Sequence, residues 1–112
     1  MFVIPLSVIA IGENVFSGCS SLTDITISSS ITAIGESSFS NCNKLKQITI
    51  PPSVTTIGES AFSGCSSLAQ INIPSSVITV GESAFYGCAS LGQDTRNELE
   101  TCFGNEIFSQ KN

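Results

Sequence analysis

The chain repeats itself at one fixed interval, the step that separates Phe16 from Phe39. Phe recurs at Phe16, Phe39, Phe62 and Phe85, Cys at Cys19, Cys42, Cys65 and Cys88, and Gly-Glu at Gly12-Glu13, Gly35-Glu36, Gly58-Glu59 and Gly81-Glu82. A fixed period of this length with a recurring apolar set means a solenoid, in which each coil stacks only on its neighbours. The coils are 4–26, 27–49, 50–72 and 73–95, with a partial strand at 1–3. Four coils lie just above the three or so needed for a stable stack.

Each coil reads as strand, short strand, helical turn. Leu68-Ala69-Gln70-Ile71-Asn72-Ile73 has the form L-x-x-I-x-I, and Leu22–Ile27 and Leu45–Ile50 repeat it. Alternating β-branched residues mark a strand. Pro51 and Pro74 then end it, because Pro has no N–H for the ladder. Ser7, Ser30, Ser53 and Ser76 follow at one offset, where a hydroxyl can satisfy turn backbone. The runs 8–11, 31–34, 54–57 and 77–80 read as second strands. The Gly of Gly-Glu is expected to make a positive-φ turn, with Glu-Ser-Ala-Phe opening a short helical turn.

L-x-x-I-x-I followed by S-V-x-x-I-G-E-S-A-F-S-G-C resembles the BspA-type leucine-rich repeat over about residues 2–93. The resemblance implies a leucine-rich-repeat solenoid with a parallel sheet on one face. It also implies a surface-associated adhesin or antigen that binds host matrix proteins or other cells.

The ladders themselves offer little chemistry. Parallel thiols one strand spacing apart, ~4.8 Å, sit too far apart for a disulfide. With no His in the chain, zinc lacks a natural set of partners, so the Cys column reads as buried core thiols. Cys102 falls outside the period and is the candidate reactive thiol. Glu13, Glu36, Glu59 and Glu82 are expected at helix starts, where negative charge is favourable, rather than around a metal. No Ser has a His base, and neither G-x-S-x-G nor a phosphate-cradling G-x-x-x-x-G-K occurs. The expectation is a protein with no enzymatic activity and no cofactor.

Nine Asp and Glu against four Lys and Arg argue against nucleic acid as a partner. No stretch of 18 apolar residues exists to insert into a membrane. The apolar run 2–11 lacks a basic leader, and its landmarks fall in repeat register, so it is expected to be the first coil.

Two surfaces remain as candidates. The outward face of the main sheet carries Thr23, Asp24 and Thr26, then Lys46, Gln47 and Thr49, then Gln70 and Asn72. It is small, polar and free of aromatic anchors, which suits weak or multivalent protein binding, or a solvated face with no ligand. Phe2, Ile4, Val8, Ile11 and Phe16 line the first slab, with Val15 at its flank. If uncovered, that end would favour a closed twofold homodimer, or a self-assembling solenoid. Residues 94–112 break the repeat at Asp94, and a helix capped by Thr95 or Asn97 would place Leu99 and Phe103 on one face as a C-terminal cap.

Overall fold

The computed structural model describes residues 2–4 and 7–110, with backbone alone at Phe2 and Val3. Two parallel sheets run along the stack. The first contains β1 (Phe2–Val3), β3 (Asp24–Thr26), β5 (Gln47–Thr49) and β7 (Gln70–Asn72) in that order. The second contains β2 (Ala10–Ile11), β4 (Ala33–Ile34), β6 (Thr56–Ile57) and β8 (Thr79–Val80). Register holds the period without a slip: Ile25 pairs with Ile48 and Ile48 with Ile71, while Ile34 pairs with Ile57 and Ile57 with Val80. The fold is therefore the expected parallel-sheet solenoid.

The apolar positions of the repeat fill the space between the sheets. Ile25, Ile48, Ile34 and Ile57 are buried, as are Leu45, Leu68, Phe39, Phe62 and Phe85. Successive rings stack nearly face-parallel at 5.2, 5.3 and 5.5 Å from Phe16 through Phe85. Such ring pairs contribute ~0.5–1.5 kcal/mol each beyond the area they bury.

The serine after each strand ties coil to coil. Ser30 Oγ donates to the Val8 carbonyl at 2.7 Å, Ser53 to Ile31 at 2.6 Å and Ser76 to Val54 at 2.8 Å. The cysteines do the same from the other side, Cys42 donating to Phe16 O and Cys65 to Phe39 O at 3.1 Å, and Cys88 to Phe62 O at 3.2 Å.

The third segment of each coil departs from the helical turn expected of it. It is a train of turns in which alternate amides point in different directions. The N–H groups of Ser60, Phe62 and Gly64 donate to Glu82, Ala84 and Tyr86 of the next coil, while those of Ala61, Ser63 and Cys65 fold back on Gly58, Ser60 and Phe62. In an α-helix the amides beyond the first turn all bond back along the same segment, so they would not alternate between their own coil and the next. The positive φ also sits elsewhere, at Ser37, Ser60 and Ser83 (55 to 64°) rather than at Gly35, Gly58 or Gly81. Gly58 is required for closeness instead: a Cβ there would lie 2.7 Å from the Glu36 amide nitrogen and 2.8 Å from the Gly35 carbonyl carbon. With no helix at Glu36, Glu59 or Glu82, the helix-start explanation of the Glu column does not apply. Their backbone carbonyls instead accept the amides of Asn14, Ser37 and Ser60.

At the C-terminal end, α1 (Gln93–Phe103) lies over the last coil and a 3-10 turn follows at Asn105–Phe108. Gly92 rather than Thr95 or Asn97 stands at the start of α1, so those two residues lie within it. Leu99 is buried and Phe103 packs against the core, the face expected of them. The 3-10 turn then restores the repeat. The amides of Ser83 and Phe85 donate to Glu106 and Ile107, and Phe108 meets Phe85 at 6.2 Å as a fifth ring of the column. Arg96 holds α1 to this rung, its guanidinium 4.3 Å over the Phe108 ring and Nη1 donating to Cys88 O at 3.4 Å.

Candidate functional site

The first sheet presents one polar row per strand position. Asp24, Gln47 and Gln70 align across β3, β5 and β7, as do Thr26, Thr49 and Asn72. The residues between them, Ile25 and Ile48, point inward and are buried, which forces their neighbours outward on a pleated strand. Thr23, Thr26, Lys46, Gln47, Thr49, Gln70 and Asn72 are exposed, and Asp24 is half-buried. Six of the eight residues singled out from the sequence, Asp24, Thr26, Gln47, Thr49, Gln70 and Asn72, thus stand at outward strand positions, whereas Thr23 and Lys46 precede β3 and β5 and lie outside the strands. Two shallow hollows mark it, one of about 270 Å³ between β3 and β5, the other of about 380 Å³ between β5 and β7 and reaching Thr95. Amides, hydroxyls and one Asp and one Lys make this a face that donates and accepts hydrogen bonds with little charge.

The first coil is less open than the sequence implied. Ile4 and Ile11 are each only 4% exposed, and Val8 and Phe16 are half-buried. Water instead meets Ile9 and Val15, at 68% and 56% exposure. The Phe2 side chain lies outside the described residues.

The thiols divide by depth. All five are free, with Cys42, Cys65 and Cys88 buried, Cys19 half-buried and Cys102 exposed. Burial pushes the Cys42 and Cys65 thiols up and raises Cys88 to about 12, because desolvation disfavours the thiolate. Among the described residues no three His, Cys, Asp or Glu side chains gather where they could hold a metal ion. No helix among them is long and apolar enough to cross a membrane.

The sequence reading missed the fifth rung. Gly104, Ile107 and Phe108 fall one full repeat after Gly81, Ala84 and Phe85, so the period itself carried the signal. Asp94 and the helix in place of a strand masked it.

Three solved structures resemble the chain. A leucine-rich repeat protein of T. pallidum is 34% identical with a TM-score of 0.77, covering 80% of this chain and 44% of its own. One from Bacteroides ovatus is 42% identical with a TM-score of 0.73, covering 74% and 22%. A leucine rich cell surface protein of Faecalibacterium prausnitzii is 35% identical with a TM-score of 0.73, covering 80% and 27%. The chain thus spans less than half the length of each of these structures. No curated protein matches it. The BspA type leucine rich repeat region matches residues 1–112 in six copies. Leucine-rich repeats are generally protein-interaction modules and typically non-enzymatic. With the period, the two parallel sheets and this match in agreement, the chain belongs to the BspA-type leucine-rich repeat family.

Proposed function

We propose that the chain is a non-catalytic module that recognises a protein partner, adhesin-like, through the outward face of its first sheet. The observation that carries this is the register of the face: three strands place Asp24, Gln47 and Gln70 in one row and Thr26, Thr49 and Asn72 in the next, all on a rigid ladder. The ladder fixes the backbone that presents these groups, so binding has only the side chains themselves to order. The absence of aromatic anchors keeps single contacts weak, which suits multivalent engagement of an extended matrix or cell surface. The cell-surface description of the Faecalibacterium prausnitzii structure supports a surface setting.

The test is binding to immobilised collagen, laminin and fibronectin. Gln47→Arg with Gln70→Arg should weaken any saturable binding about tenfold, roughly 1.4 kcal/mol. Glu13→Gln, on an exposed turn away from the first sheet, should leave it unchanged. Background binding across the panel, or equal loss in both variants, would contradict the reading.

A structural, self-assembling solenoid is the second reading, favoured by the exposed Ile9 and Val15 beside half-buried Val8 on the first coil. Sedimentation should then show a twofold dimer that Val15→Asp dissociates. A monomer at all concentrations would remove this reading.

A further inference from the structure

The last coil is capped on one side only. Toward the ring column the cover is complete: Phe85 and Ala84 are 0% exposed and Cys88 1%. Toward the sheets it is not. Ile71, Ile73 and Val80 are half-buried, whereas their counterparts Ile48, Ile50 and Ile57 in the preceding coil are 3%, 1% and 0% exposed. Ile78, at the position that Ile9, Thr32 and Thr55 also turn to water, is 78% exposed and carries an aliphatic chain to the rim. The difference marks what is lacking there, namely a further strand. The chain supplies α1 instead, and between α1 and β7 lies an open cleft of about 690 Å³, within the ~300–1,000 Å³ of ligand sites. Ile73, Val77, Ile78, Leu99 and Phe103 give it an apolar lining, and Glu98 stands at its wall.

We propose that this cleft takes an extended, basic peptide strand with aliphatic side chains at alternate positions, added to the edge of β7. Three features identify the occupant. Among the described residues β7 is the terminal strand of its sheet, so one side of its backbone has no strand partner in that sheet. Strand addition to such an edge supplies main-chain hydrogen bonds, and alternate side chains then enter the pocket below. Second, the cleft continues the interface between coils, and within the molecule that interface is filled each time by I-x-I, as Ile48-Thr49-Ile50 fills it against β3. Third, the chain carries a net charge of −5 and Glu98 faces the cleft, which favours a basic strand over an acidic one. The cleft adjoins the polar sheet face at Asn72, but its apolar lining of Ile73, Val77, Ile78, Leu99 and Phe103 lies off that face, so either reading can hold without the other.

The probe is a labelled peptide copying residues 44–51, which carries Lys44 and Lys46 with Leu45, Ile48 and Ile50. Fluorescence anisotropy with the whole chain should give saturable binding below about 1 mM. A peptide with Pro in place of Gln47 loses a ladder N–H and should bind about tenfold more weakly. Ile78→Asp, at an exposed position that the fold does not need, should weaken binding similarly, and Gln47→Arg on the sheet face should not. Bound peptide should also slow alkylation of Cys102, which lines the cleft. No saturable binding, indifference to the Pro peptide, or loss in Gln47→Arg with retention in Ile78→Asp would each overturn the proposal.

Discussion

Two hydroxyls are buried in the core. Ser38 Oγ and Ser83 Oγ are enclosed without a hydrogen-bond partner. Position 38 is alanine in the next two coils, Ala61 and Ala84, both fully buried. Ser38→Ala therefore removes an unsatisfied hydroxyl at no cost in volume, and should raise stability by about 1 kcal/mol in urea unfolding. Ser83 adds a φ of 64° to its orphan hydroxyl, so Ser83→Gly should stabilise too, by ~1 kcal/mol. A lowered midpoint in either variant would show that the hydroxyl has a partner. The thiols give the residue scale its pH dependence. The folded-state pKa of each buried thiol lies above the ordinary 9.0, so its contribution is complete below that pH. It is lost as pH rises through the unfolded value toward the folded one, about 12 for Cys88. Stability should thus fall above pH 9 by up to ~1.4 kcal/mol per unit for each thiol involved. A flat profile through about pH 10.5 would contradict this. Alkylation should modify exposed Cys102 first and reach Cys42, Cys65 and Cys88 only on unfolding.

At the scale of the element, the unit is the rung, one residue type carried from coil to coil. Phe62 lies between two rings and is fully buried, while Phe16, in the first coil, is half-buried. Phe62→Ala should cost about 3–5 kcal/mol and Phe16→Ala distinctly less, by urea or thermal unfolding. Equal costs would mean that the rings do not act as a column. The strands of these rungs were legible in the sequence, because Ile25, Ile48 and Ile71 alternate with polar residues at a fixed offset and β-pairing has only one register to choose. The turn train was not. Ala61, Phe62 and Cys65 have helical spacing, yet their amides alternate between the coil's own carbonyls and the next coil's, a constraint no single coil reveals. The same reason hid the role of Gly58, which answers to the backbone of the preceding coil rather than to its own φ. The polar rows of the first sheet were legible as a face, since burial of Ile48 fixes the direction of Gln47 and Thr49. The cleft was not, because it depends on where α1 comes to rest.

The whole molecule is a stack in which stability is shared between neighbouring coils, and its two ends are finished differently. At one end Ile9 and Val15 meet water, and at the other α1 and Phe108 close the ring side and leave the sheet side ajar. Function and stability therefore compete for the same strands, since the face proposed for partners is the surface of the ladder that joins the coils. The central claim is that coils stack in parallel, each residue beside its counterpart in the next repeat. Backbone nuclear Overhauser contacts test it most directly. The account predicts cross-strand contacts linking Asp24 with Gln47 and Gln47 with Gln70 in parallel register, with Phe39, Phe62 and Phe85 in contact in sequence. Antiparallel contacts, or rings paired other than with the ring of the adjoining repeat, would contradict it.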